Sequence, residues 1–148
     1  MKRWVQEVDK VLSDLTLVFL QLERSGKCCH GVTLSQCHTL DLLSKKENLA
    51  MNELSKQMGL AKSTMTRIVN NMIREGWIEQ FKDEGDRRLV NVRLTLKGKK
   101  MAERLDFSSR EYVRRILRHI PSEKIPQIVA SLKLIMNSVV REVQEGRI

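Results

Sequence analysis

Residues 60–75, LAKSTMTRIVNNMIRE, decide the fold. At helical period Met65, Ile68, Val69, Met72 and Ile73 share one apolar face, while Lys62, Ser63, Thr64, Thr66, Arg67, Asn70 and Arg74 share the other. The first face can pack into a core. The second carries short hydroxyls near the N-terminus, then Arg and Asn one and two turns on, donors of the kind that meet phosphates and base edges. No acidic residue interrupts it before Glu75. A helix N-terminus adds free backbone N–H groups and the positive end of a dipole, both suited to a phosphate. A polar helix face is often only a solvated surface, so the flanking sequence carries the decision.

Upstream, MNELSKQMGL at 51–60 reads as a short helix with Leu54 and Met58 four apart, ended by Gly59 as a left-handed cap. A short helix, a tight glycine turn and a longer helix opening with hydroxyls make a helix-turn-helix, whose second helix lies in the major groove. Downstream, Trp77, Ile78 and Phe81, the run KDEGDRR at 82–88, and then Leu89, Val90, Val92 and Leu94 read as a β-hairpin with a charged tip around Gly85. That hairpin is a wing. The expected fold is therefore mainly α with a small β-hairpin wing, a winged helix-turn-helix carrying extra helices at both chain ends.

Further out, apolar residues recur at Trp4, Val8, Val11, Leu12, Leu15, Val18, Phe19 and Leu22, predicting a helix over about Lys2 to Arg24. SGKCCHGV at 25–32 breaks it. Thr33 stands where an N-cap belongs, and LSQCHTLDLLS continues as a second helix with Leu34, Leu40 and Leu43 as core positions. Residues 45–50 read as a connection. After the wing, Thr95 caps a long helix expected to reach about Ile120, where Pro121 stops it, and Ser122 caps a last helix. In that last helix Ile125, Ile128, Val129, Leu132, Ile135, Met136, Val139, Val140 and Val143 make a stripe too wide for a monomer surface. Both chain ends are thus expected to pack against a second copy in a two-fold dimer. Residues 1–148 would be a single domain, with about 33–96 as the DNA-binding region and about 1–32 and 97–148 as dimerisation helices.

Composition points the same way. The 148 residues hold 27 Lys and Arg against 18 Asp and Glu, a net charge of +9 and a pI near 9.8, which favours a polyanionic partner. No apolar run spans a bilayer, and MKRWVQEVDK lacks the apolar core of a signal peptide, so a cytoplasmic protein without membrane contact is expected. No Gly-rich phosphate loop, metalloprotease motif or nucleophile elbow is present, which argues against an enzyme. A dimer would set two recognition helices in successive major grooves of double-stranded DNA, on a pseudo-palindrome with half-sites about 34 Å apart. Arg87 or Arg88 at the wing tip could then enter a narrow flanking minor groove. The competing reading is a winged-helix module that binds protein and has only non-specific DNA affinity.

Three segments carry a family likeness: GVTLSQCHTLDLL at 31–43, ELSKQMGLAKSTMTRIVNNMIREGWIEQ at 53–80 and DEGDRRLVNVRLTLKG at 83–98. In motifs and helix order the chain resembles the MarR family of bacterial transcription regulators, most specifically in the D-x-x-D-R-R wing followed by L-T-x-x-G. The resemblance implies a homodimeric winged helix-turn-helix protein, usually a repressor, that leaves its operator when a ligand, oxidant or metal acts near the junction of its two parts. By position it implies that Ser63, Thr64, Thr66 and Arg67 contact bases and phosphates, that Asp86 orders the wing, and that Arg88 enters the minor groove. Lys62 and Arg74 suit phosphate contacts, and Asn70 a base or a solvated surface.

Cys28, Cys29, His30, Cys37 and His38 fall within eleven residues. Thiolate and imidazole together suit Zn or another thiophilic metal, and neighbouring thiols suit an oxidant switch, while a buried Cys is also a small core hydrophobe. Zinc-responsive members of the family take ligands where Cys29 and His38 stand, but add histidines on the fifth helix, where this chain has Leu105, Asp106 and Phe107, with His119 well beyond. Structural, redox and metal roles all stay open for Cys28, Cys29, Cys37 and His38. No cofactor is expected to be required.

Overall fold

In a computed structural model that describes residues 1–24, 31–82, 85 and 89–146, the elements follow in the order α1 (Lys2–Arg24), α2 (Leu34–Ser44), β1 (Leu49–Ala50), α3 (Met51–Gln57), α4 (Lys62–Arg74), β2 (Ile78–Lys82), β3 (Val90–Leu94), α5 (Leu96–Leu117) and α6 (Ile125–Gln144). The mainly α class with a hairpin wing is as expected. Contacts divide the chain into Met1–Ser109 and Arg110–Ile148, a boundary that falls within α5.

In the first unit the core gathers around α4. Met65, Val69 and Met72 recur at spacings of four and three and are wholly buried. They meet Leu54 of α3, Leu40 and Leu43 of α2, Ile78 of β2, Val92 and Leu94 of β3, and Ala102 and Leu105 of α5. The turn between α3 and α4 closes with Leu60 N–H donating to the Ser55 carbonyl at 3.0 Å, and Gly59 sits at φ 62°, where a side chain would be strained. The strands form an antiparallel sheet in the order β1-β3-β2, with Ile78 opposite Leu94 and Gln80 opposite Val92. Along β3 the period of two sends Val92 and Leu94 inward and Arg93 outward.

Four local expectations are corrected. The connection at 45–50 contains β1, in which Leu49 pairs with Val92 and Ala50 with Asn91, giving the wing a third strand. Leu34 is 43% exposed rather than core, because nine residues, two and a half helical turns, put it opposite Leu43. Thr39 takes the inward position instead, its hydroxyl satisfied by the Ser35 carbonyl at 2.7 Å. The helix after the wing ends at Leu117, and the N–H groups of His119 and Ile120 reach back three residues rather than four as the chain tightens before Pro121. Ser122 opens a 3-10 turn, Ser122–Lys124, and α6 starts at Ile125 with Pro126 in its first turn, where a missing N–H costs nothing.

Thr33 does cap α2, in a reciprocal box: its hydroxyl accepts from Gln36 N–H, and the Gln36 side chain accepts from Thr33 N–H. In α1, the apolar side chains from Trp4 to Phe19 are exposed, and in α6 those from Val129 to Val143 are largely so. No helix among the described residues is long and apolar enough to cross a membrane.

Candidate nucleic-acid interface

The outer face of α4 emerges as the sequence placed it. Lys62, Ser63, Thr66, Arg67, Asn70 and Arg74 are exposed, and Thr64 is partly buried. Behind them Met65, Val69 and Met72 are locked in the core, so the polar face is held on a rigid support. The helix carries three cations and no carboxylate between Lys62 and Arg74. About 18 Å separates its ends, and its width suits a major groove about 12 Å wide.

The start of α4 is open. Its N-cap is Ala61, which offers no side-chain acceptor, so the first-turn N–H groups face out beside the hydroxyls of Ser63 and Thr64. That combination receives an anion. Thr66 donates its hydroxyl to the Lys62 carbonyl at 2.8 Å, which fixes its rotamer and leaves the oxygen free to accept. Arg74 Nη2 donates to Asn71 Oδ1, which holds that guanidinium along the helix surface near the C-terminal end.

The hairpin is stiffened on its outer side. Glu79 and Arg93 face each other across β2 and β3, with Arg93 Nε donating to Glu79 Oε1 at 2.6 Å, and the guanidinium lies 4.8 Å from the centroid of Phe81. The wing-tip residues Asp86, Arg87 and Arg88 lie outside the described residues. Gly85 is described.

Of the Cys and His cluster, Cys28, Cys29 and His30 also lie outside the described residues. Cys37 is half-buried and packs against the core, and His38 is exposed. Consecutive helical positions diverge by about 100°, so these two cannot ligate one ion together without unwinding α2. Among the described residues no group of three His, Cys, Asp or Glu side chains could hold a metal ion.

Comparison with known proteins places this architecture. The MarR family model matches residues 32–90, the span from just before α2 through α4 to the first residue of β3. Over that span the chain resembles the MarR family. Its likeness extends well beyond that span: the HTH-type transcriptional regulator YsmB of Bacillus subtilis is 26% identical over 138 residues, covering 93% of this chain and 94% of the relative. A MarR family protein from Bacillus stearothermophilus superposes with a TM-score of 0.82 at 26% identity, covering 95% of this chain and 98% of that one. Streptococcus pneumoniae FabT, solved in complex with DNA, shares the fold with a TM-score of 0.78 at 23% identity, covering 90% of this chain and 98% of that one. MarR relatives are transcriptional regulators rather than enzymes, as the absence of catalytic motifs suggested.

Sequence reasoning passed over a second set of residues beside this face. Thr95, Lys97 and Gly98 contact Glu75, Gly76 and Trp77, the segment that follows α4. Thr95 was visible as a helix cap, but nothing in local sequence signals a contact made across 19 residues.

Proposed function

We propose that this chain is a MarR-like, homodimeric, sequence-specific DNA-binding regulator of transcription, a repressor acting in the cytoplasm on a pseudo-palindromic operator. The observation that carries the reading is the exposed face of α4: three cations, hydroxyls and an uncapped N-terminus on a helix that buries Met65, Val69 and Met72 on its other side. The DNA complex of FabT supports it by analogy of fold. Assembly as a dimer is supported by the unpaired apolar residues of α1 and α6, among them Val11 at 63%, Leu132 at 54% and Met136 at 58% exposure, which water would not leave uncovered in a single copy.

Release is ascribed to a small ligand, an oxidant or a thiophilic metal such as Zn acting near Cys28, Cys29, Cys37 and His38. Any such signal must act differently on the bound and released states to shift the balance between them. Cys37 supports a thiol-based signal, since it lies on α2 against the core that also holds α4, and a change in its volume or charge would be felt there.

The test is selection of binding sites from random duplexes, followed by affinity measurement on the selected and on shuffled DNA across a salt series. A symmetric selected site with a discrimination of roughly a thousandfold or more, and a steep salt dependence, is expected. Arg67→Ala and Arg88→Ala should each weaken binding to that site by about tenfold or more while leaving the oligomeric state intact. Uniform weak binding to every duplex would instead indicate the protein-interaction module.

A further inference from the structure

Just past the end of α4, three successive carbonyls are met by Thr95 and Lys97 at the start of α5. Glu75 O accepts from Lys97 Nζ at 2.6 Å, Gly76 O accepts from the Thr95 hydroxyl at 2.6 Å, and Trp77 O accepts from Thr95 N–H at 3.0 Å. Gly98 completes the clasp by close approach, since a Cβ there would stand 1.9 Å from the Trp77 oxygen. Carbonyls in the turn after a helix lie outside its ladder and need partners of their own. Here Thr95 and Lys97 supply them.

Thr95 is the hub. Its single oxygen donates to Gly76 O, just past the end of α4, and accepts from Gly98 N–H, at 3.0 Å, at the start of α5. One atom therefore ties the turn that follows α4 to the helix that follows the wing. The recognition face is rigid over about 18 Å, so a tilt of about 10° at the clasp would move the far end of α4 by roughly 3 Å. Hydrogen bonds to base edges tolerate a few tenths of an ångström. Attraction to phosphates, being long-ranged and non-directional, tolerates far more.

We propose that Thr95 is a positioning residue for DNA sequence discrimination: through the clasp with Gly76, Trp77 and Gly98 it holds the recognition helix at the angle that brings its side chains to the bases. The proposal rests on the reading of the chain as a sequence-specific DNA-binding protein. Its signature is a loss of discrimination without a loss of general DNA affinity, which a purely stabilising contact would not produce.

The experiment compares the full-length parent, Thr95→Val and Thr95→Ser on the selected site and on shuffled duplex over a salt series, with folding checked by circular dichroism. Thr95→Val should lose about tenfold in the ratio of specific to shuffled affinity, the equivalent of roughly one base contact, with shuffled-DNA affinity and salt slope unchanged. Thr95→Ser, which keeps the hydroxyl, should restore the ratio. A folded Thr95→Val protein with the parental ratio, or with both affinities lowered equally, would overturn the proposal. Should Thr95→Val not fold, Lys97→Met, at an exposed position, is judged by the same ratio, which cancels any common electrostatic loss. A parent without site preference would overturn the DNA-binding reading itself, a result distinct from a discriminating parent with an equally discriminating variant.

Discussion

Gly98→Ala is the substitution for which helix propensity and tertiary contact disagree most sharply. Gly98 is the third residue of α5, and propensity alone makes alanine there more stable by about 1 kcal/mol. The contact reverses the sign. The added Cβ would stand 1.9 Å from Trp77 O, 2.9 Å from Trp77 C and 3.2 Å from Trp77 Cα, all backbone atoms that no rotamer change can move aside. The two segments would have to part by roughly an ångström or more, a strain of the size that overpacking exacts, about 1 to 3 kcal/mol. The same movement stretches the bonds from Thr95 to Gly76 O and Trp77 O, each worth about 1 kcal/mol. Against the propensity gain, the net expectation is a loss of about 2 to 3 kcal/mol, a fall of roughly 5 to 10 °C in Tm for a chain of this length. Thermal unfolding by circular dichroism measures it, at matched protein concentrations because an oligomer's Tm depends on concentration. A variant melting at or above the parental temperature would refute the argument.

Other outcomes follow from the same structure. Cys37→Ser should retain DNA binding in the reduced, metal-free state and lose part of any response to oxidant or Zn, measured by release from DNA; a fully responsive variant would remove Cys37 from sensing. In the proposed dimer, Leu132→Glu, at a position 54% exposed on α6, should leave helicity unchanged and weaken self-association by about a hundredfold or more, because the interface would bury a carboxylate without a partner; an unaltered dimer in sedimentation would refute an interface at α6.

How far the fold was legible follows from the range of the interactions that make it. The faces of α4 could be read because burial of Met65, Val69 and Met72 depends on a period of 3.6 that is written locally, and the polar face is its complement. The hairpin could be read because apolar residues at Ile78 and Phe81 and at Val90, Val92 and Leu94 flank a run rich in turn formers. β1 could not, since two residues carry no period and only pairing with Val92 and Asn91 makes them a strand. Leu34 misled because composition marks it as apolar, while its angle to Leu43 turns it to solvent.

Thr95 shows why a site can be half legible. A hydroxyl before a helix predicts a cap, and the bond from Gly98 N–H confirms that much. A cap needs only the oxygen's lone pair, so the hydroxyl proton remains to be placed, and local sequence cannot say where. It goes to Gly76 O across 19 residues, to a carbonyl that every sequence presents identically. The glycine at 98 is the one local trace of that contact, because an absent Cβ in a first helical turn, at a cost in propensity, implies that something stands where the Cβ would be. The run Leu94 to Gly98 thus encodes a junction with the turn after α4 as well as the helix it opens. The same reasoning explains why the role of the Cys and His cluster stayed open: a run of thiols and imidazoles states which chemistry is available, while the geometry that would select metal, oxidant or simple packing is set by contacts no local pattern records.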